Sequence, residues 1–129
     1  MLNNYKILLV DDEADFRQIM TSFFKKRKIA CETAAGCLEA LDWLGREQFD
    51  VVVMDVVMPG LDGLKCMAEM HKLYPGLSII ILTGNASINT GVLCMKQGAF
   101  DYCMKPIDFE ELLEKILIAR EKSRATNTG

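Results

Sequence analysis

Residues 5–12 read YKILLVDD, an apolar run that stops at the adjacent carboxylates of Asp11 and Asp12. Three later runs end in the same abrupt way: FDVVVM at Asp55, LSIIIL at Thr83 and FDYCM at Lys105. Continuous apolar runs of this length are typical of parallel strands covered on both faces. Parallel strands place their carboxyl ends along one edge of a sheet, where open α/β sheets hold their ligands. The four run ends are therefore predicted to meet in one shallow site.

Helical patterns separate these runs, and IACETA at residues 29–34 is a plausible further strand. In residues 14–28 the apolar side chains recur at helical spacing: Phe16, Ile19, Met20, Phe23 and Phe24. In residues 37–47 one apolar face is predicted from Leu38, Leu41 and Leu44. Five β–α units predict an α/β fold, a flavodoxin-like doubly wound (βα)5 domain whose five-stranded parallel sheet has the order 2-1-3-4-5.

The second half of the chain carries recognisable helix ends. Gly98 is the expected C-cap of a weak fourth helix, and Asp108 is the expected N-cap of a last helix over residues 109–122. The tail SRATNTG is polar and is expected to fray. The prediction is one domain over residues 1–123, with 124–129 as a polar tail or the start of a linker.

Composition narrows the class of protein. The net charge of −3 and the pI near 5.2 argue against direct nucleic-acid binding by these 129 residues. No apolar stretch approaches the roughly 18 residues of a membrane span, and no signal-peptide pattern precedes the first strand, so a cytoplasmic location is expected. The five cysteines form no CxxC pair. They are therefore predicted to be reduced core residues of a cytosolic protein.

The acidic loop after the first strand points to a metal site. A flavin or nucleotide binder would place Gly, Ser and Thr there to cradle a phosphate, whereas this chain has Asp11-Asp12-Glu13. Three carboxylates, Asp55 included, cannot share a site in ionised form without a cation. Hard carboxylate oxygens suit Mg²⁺. A metal-bound Asp with the Thr83 hydroxyl and the Lys105 ammonium nearby suggests phosphoryl chemistry.

Taken together, these motifs resemble the receiver domain of two-component response regulators. The matching pieces are the acidic pair, DVVMPGLDG around Asp55, LTG with Thr83, and Lys105-Pro106, and the resemblance runs from about Tyr5 to about Lys122. It implies that Asp55 is the phosphoacceptor. The phosphoryl donor would be a phosphohistidine of a sensor histidine kinase or of a histidine phosphotransfer protein. The chain would then be a signalling domain that catalyses only its own phosphorylation and dephosphorylation.

The resemblance also implies roles for the neighbouring residues. Asp12 and Asp55 would ligate Mg²⁺ directly with the backbone carbonyl of Val57, and Asp11 would act mostly through a water molecule. Lys105 and Thr83 would each contact a phosphoryl oxygen, and the rotamer of Tyr102 would follow Thr83. The Lys105–Pro106 peptide is expected to be cis. The face formed by helix four, strand five and helix five would then change, and it is a possible homodimer interface.

Several alternatives are open at this point. Asp11 or Asp12 could cap the first helix, and the acidic residues Asp50, Asp62 and Asp101 are expected to have structural roles. A degenerate receiver that serves only as an interaction module would have lost part of the acidic pair, Asp55 or Lys105, and none is lost. A haloacid-dehalogenase-type phosphatase also uses an Asp nucleophile with Mg²⁺, but it needs a second Asp where this chain has Val57. Residues 82–108 resemble receivers found with transcription-activating ATPase domains and in hybrid kinases.

Overall fold

Strands and helices alternate throughout the computed structural model, which describes residues 6–56, 63–84 and 88–128, with side chains described for all of these except 88–91 and 123–128. Within those ranges there are five strands and five helices. The strands are β1 (Lys6–Val10), β2 (Ala30–Ala34), β3 (Val51–Asp55), β4 (Ser78–Thr83) and β5 (Asp101–Met104). The helices are α1 (Ala14–Lys26), α2 (Cys37–Arg46), α3 (Gly63–Leu73), α4 (Ile88–Lys96) and α5 (Phe109–Thr128).

All five strands form one parallel sheet in the order β2-β1-β3-β4-β5, which confirms the predicted fold. The register aligns the strand ends: Val10 pairs with both Ala34 and Met54, and Thr83 pairs with Met104. Residues that follow β1, β3, β4 and β5 therefore emerge along the same edge. No helix in the described part of the chain is long and apolar enough to cross a membrane.

Successive strand residues point to opposite faces, so the sheet separates two cores. Leu8, Val52 and Ile79 belong to the core beneath α2 and α3. Ile7, Val51 and Ile80 belong to the core beneath α1 and α5. Both faces are covered, and this explains why the strand sequences are continuously apolar rather than alternating.

The buried stripes of α1 and α2 are narrower than the sequence predicted. In α1, Met20 and Phe24 are buried, whereas Ile19 is 54% and Phe23 39% exposed. In α2 the buried residues are Cys37, Ala40 and Leu44, and Leu41 is partly buried against them. Leu38 is 81% exposed, so its placement on the apolar face was wrong. It directly follows Cys37, and one step along a helix turns a side chain by about 100° away from the buried stripe.

A disulfide joins Cys37 at the start of α2 to Cys66 in α3. The prediction of five reduced cysteines is therefore wrong for this pair. The two residues are 29 positions apart, and packing of α2 beside α3 brings them together, so the search for short CxxC spacings missed them. The remaining cysteines, Cys31, Cys94 and Cys103, are free thiols, as expected.

The helix ends in the second half agree with the sequence patterns, except for the tail. Asp108 caps α5, because its Oδ1 accepts hydrogen bonds from the backbone N–H groups of Glu110 and Glu111 at 3.0 and 3.3 Å. Gly98 ends the α4 turn at a φ of 109°, and the Lys105–Pro106 peptide is cis. The expectation of a frayed tail was wrong, since α5 continues to Thr128. The domain boundary at residue 123 stays a prediction.

Candidate functional site

The carboxyl edge of the sheet gathers the polar residues that follow the strands. Asp11 and Asp12 come directly after β1, Asp55 and Thr83 are the last residues of β3 and β4, and Lys105 follows β5. The backbone N–H of Lys105 donates to the Thr83 carbonyl at 2.7 Å, so the ladder between β4 and β5 extends into the site. The predicted convergence of the strand ends is what the structure shows.

Three carboxylates lie together at this edge. One oxygen from each of Asp11, Asp12 and Asp55 lies within 4.8 Å of the other two. Asp11 is fully buried and Asp55 is 7% exposed, whereas Asp12 is open to solvent. The group thus has two enclosed carboxylates and one accessible carboxylate.

Lys105 supplies a positive charge to this cluster. Its Nζ lies 2.9 Å from Asp11 Oδ2, 3.1 Å from Asp55 Oδ2 and 3.4 Å from Glu13 Oε1. Burial by itself would lower the pKa of Lys105, but hydrogen bonds to Asp11 and Asp55, together with their charges, raise the pKa above its ordinary value. Lys105 is therefore a fixed cation at any physiological pH.

Asp11 is held from several sides. Its Oδ1 accepts the backbone N–H of Glu13 at 2.9 Å, while its Oδ2 faces Lys105. Its backbone carbonyl accepts a hydrogen bond from Arg17 Nη1 at 2.7 Å. The N-cap of α1 is Glu13, and no side-chain hydrogen bond caps that helix. The alternative that Asp11 or Asp12 serves to cap α1 is therefore wrong.

The two residues assigned to the switch differ in exposure. Thr83 is 1% exposed at the end of β4, next to the site. Tyr102 is 42% exposed on β5, and the Lys115 ammonium lies 5.3 Å from the centre of its ring. Lys115 Nζ also donates to the Tyr102 carbonyl at 2.5 Å, which ties β5 to α5.

The other acidic candidates have structural partners, or lie outside the described residues. Asp50 Oδ2 accepts the backbone N–H of Lys6 at 2.9 Å, and Asp101 Oδ1 accepts that of Tyr102 at 2.7 Å. Both contacts lie at strand starts, away from the carboxyl edge. Val57, the expected carbonyl ligand, and Asp62 fall outside the described residues.

Phe16 and Arg17 also take part in the site, although the sequence predicted no role for them, and so does Glu13, which was expected only as part of the acidic loop. Glu13 and Arg17 contact Lys105 and Asp11 as described above. The ring centre of Phe16 lies 4.3 Å from Lys105 Nζ. In the sequence Phe16 reads as one more apolar position of α1, and only the turn from β1 into α1 carries it to the site. The signal available in the sequence was their closeness to the acidic pair, one, four and five residues after Asp12.

The donor set fits a hard divalent cation. Carboxylate oxygens are the ligands that Mg²⁺ prefers, and Mg²⁺ commonly uses one or two carboxylates while the remaining positions stay with water or phosphate. Asp12, which is exposed, and Asp55, whose side chain is 10% exposed, could provide such ligands. Among the described residues, the cluster contains neither the imidazole nor the thiolate donors that zinc prefers.

Comparison with known proteins agrees with this geometry. The family model for the response regulator receiver domain matches residues 7–117. The transcriptional regulatory protein GlrR of Escherichia coli K12 is 35% identical over 117 residues, which are 91% of this chain and 26% of GlrR. The DNA-binding transcriptional regulator NtrC of Klebsiella pneumoniae is 34% identical over 103 residues, 80% of this chain and 22% of NtrC.

The solved structures give the same result. A response regulator receiver domain protein from Clostridium thermocellum has a TM-score of 0.89 at 31% identity, covering 95% of this chain and 98% of that one. The chain spans about a quarter of the length of the curated relatives above. The match over residues 7–117, with the sheet order and the acidic edge, shows that the chain belongs to the response regulator receiver domain family.

Proposed function

We propose that the chain accepts a phosphoryl group on Asp55 and transmits that event to a partner, as a phosphoacceptor of a two-component system. One observation carries the proposal: Asp55 lies at the carboxyl edge of the sheet with two further carboxylates and with the Lys105 ammonium, whose Nζ is 3.1 Å from Asp55 Oδ2. A degenerate receiver would lack part of this set. The complete set argues for phosphorylation rather than for an interaction module alone.

The chemistry follows from charge. An Asp55 oxygen attacks the phosphorus of a phosphohistidine, the new P–O bond forms as the P–N bond breaks, and the imidazole leaves with the electron pair. An ionised carboxylate needs no general base for this attack. Negative charge spreads over the equatorial phosphoryl oxygens during transfer. Lys105, whose Nζ lies 2.9 Å from Asp11 Oδ2, would pair with one of these oxygens.

Asp12 and Asp55 are proposed to hold Mg²⁺ with the Val57 carbonyl, and Asp11 to act mainly through a water molecule. The chemistry that Mg²⁺ supplies when bound is neutralisation and orientation of the phosphoryl oxygens. With Asp12 exposed and most ligands left to water, we expect weak binding.

Thr83 and Tyr102 are proposed to carry the signal from the site to the surface of α4, β5 and α5. A phosphoryl group adds charge and acceptor oxygens, and Thr83 would donate to one of them. The described part of that surface exposes apolar side chains, which supports a docking role for a partner or for a second copy of the chain. They are Val92, Leu93, Met95, Met104 and Ile118.

The partners that this function requires are a sensor histidine kinase or a histidine phosphotransfer protein, as donor of the phosphoryl group. We infer a cytoplasmic location from membership of the family. The printed names of GlrR and NtrC describe transcriptional regulators, and we propose that this receiver likewise controls transcription through a separate output domain.

A phosphodonor time course tests the proposal. We expect one phosphoryl group per chain from a small-molecule donor, only with Mg²⁺ present, with Asp55→Asn abolishing incorporation. Asp12→Ala should weaken Mg²⁺ binding strongly, because it removes a proposed ligand, while the fold survives, because the substitution relieves repulsion between like charges. Asp42→Ala, which removes an exposed carboxylate of α2, is the matched control and should behave as the wild type. Undiminished incorporation in Asp55→Asn would overturn the assignment.

A further inference from the structure

The ring of Phe16 lies beside the Lys105 ammonium. Lys105 Nζ is 4.3 Å from the ring centre, well inside the distance at which an aromatic face attracts a cation. Phe16 is the third residue of α1 and is half-buried against the core beneath α1 and α5. The ring therefore stands on a packed helix, while Lys105 reaches it from the end of β5.

The surroundings of Lys105 explain why such a support matters. A lysine has a flexible four-carbon stem and a compact charge, so its direction depends on what surrounds it. Asp11 and Asp55 draw the ammonium into the site, whereas Glu13, whose side chain is 66% exposed, lies at 3.4 Å towards solvent. These carboxylates bind the ammonium by accepting its N–H groups. An aromatic face attracts the positive charge of the ammonium, but it has no carboxylate oxygens that would compete with a phosphoryl oxygen for the N–H groups.

We propose that Phe16 is a positioning residue for phosphoryl transfer: its ring holds the Lys105 ammonium at the site, so that an N–H group now donated to a carboxylate can turn to a phosphoryl oxygen without the ammonium leaving the site. This inference rests on the proposed function, because it assigns Phe16 a part in the same reaction. Phe16 touches neither the phosphoryl group nor the metal in this account. Its effect passes through Lys105 alone.

Plain packing is the competing explanation, since Phe16 also belongs to the core cluster. The two explanations differ in what leucine and tyrosine do at this position. Leucine keeps most of the apolar packing but removes the aromatic face. Tyrosine keeps the aromatic face. If Phe16 only packs against the core, both substitutions should have similar, small effects on the rate of phosphorylation. If the cation–ring contact matters, only the leucine substitution should lower that rate.

The experiment compares the wild type with Phe16→Leu, Phe16→Tyr and Phe23→Leu, using phosphoramidate as donor at saturating Mg²⁺. Phe23 offers the matched control, because it lies on the same helix with its ring 5.0 Å from that of Phe109. We expect phosphorylation of Phe16→Leu to be roughly threefold to tenfold slower, and the other two variants to stay near the wild-type rate. Thermal unfolding of each variant reports its stability.

A second readout follows the contact itself. In the wild type the ring current of Phe16 should shift the NMR signals of the Lys105 ε-methylene protons, and the shift should disappear in Phe16→Leu and persist in Phe16→Tyr. An unchanged rate in Phe16→Leu, or an equal loss in Phe16→Tyr or Phe23→Leu, would overturn the positioning role while leaving the phosphoacceptor function intact. A wild type that takes up no phosphoryl group would instead overturn the proposed function, and the positioning role with it.

Discussion

Lys105 balances much of the negative charge at the carboxyl edge. Its ammonium lies within 3.1 Å of oxygens on both Asp11 and Asp55, which are almost fully buried. Buried carboxylates without a counter-charge are costly, so the same side chain that is proposed to serve transfer also stabilises the resting site. In protein stripped of divalent cations, we expect the stabilising role of Lys105 to dominate.

Lys105→Met should therefore lower the free energy of unfolding by roughly 1–3 kcal/mol in chelator, less than for a fully buried pair because the site is partly open to water. Added Mg²⁺ should reduce the difference in free energy of unfolding between the two proteins, since it supplies the missing positive charge. Urea denaturation of both proteins, with and without Mg²⁺, measures the effect. Equal stability in chelator would contradict the assigned role.

The raised pKa of Lys105 fixes how this contribution depends on pH. A lysine whose folded-state pKa lies above its unfolded value stabilises fully below the unfolded pKa, near 10.4, and loses that contribution only as pH rises through the folded value. The stability difference between wild type and Lys105→Met should thus stay constant from about pH 6 to 9. A difference that declined across that window would contradict the raised pKa.

At the scale of elements, the Cys37–Cys66 bond ties α2 to α3, the helix that follows the loop after Asp55. Two of the free thiols are poorly reactive, because burial raises the pKa of Cys31 to about 12 and that of Cys103 to about 11. Neither is a thiolate at neutral pH. A reducing cytoplasm would favour cleavage of the Cys37–Cys66 bond between α2 and α3, because most cytosolic proteins have their cysteines kept as thiols.

Thiol counting tests that link. Unfolded without reductant, the protein should show three alkylatable thiols, and five after reduction. Closing a loop with a sequence separation of 29 should stabilise the fold by about 3–4 kcal/mol, so reduction should lower the denaturation midpoint. The Cys37→Ala/Cys66→Ala double variant should not respond to reductant. Five thiols in the unreduced protein would contradict the bond.

Helix α4 is the element expected to respond to phosphorylation. Its first turn contains Asn89, Thr90 and Gly91, all poor helix formers, and it lies between Thr83 and Tyr102 in the chain. We expect hydrogen exchange over α4 and α5 to change when phosphodonor and Mg²⁺ are added, and not in Asp55→Asn. Changes confined to the site loops would show that the proposed output face is wrong.

Across the whole molecule, the sequence predicted those features that are written in continuous stretches of the chain. The apolar runs located the strands to within about two residues at each end, and their polar ends located Asp11, Asp55, Thr83 and Lys105 on one edge. Local rules also placed the caps at Gly98 and Asp108 correctly.

The remaining features depend on how separate elements pack. The disulfide needs α2 beside α3, and the exposure of Leu38 and Ile19 depends on which stripe of each helix meets the sheet. The contact between Phe16 and Lys105 joins the first turn of α1 to the end of β5. No local spacing records these relations, so they became visible only in the folded structure.

Identification of the residue that carries the phosphoryl group decides whether Asp55 is the phosphoacceptor. After treatment with phosphodonor and Mg²⁺, borohydride converts an acyl phosphate of aspartate to homoserine, which tandem mass spectrometry locates in the peptide. We expect homoserine at position 55 alone, and none without Mg²⁺. Homoserine at position 11, 12 or 50 with an unmodified Asp55, or no conversion at all, would contradict it.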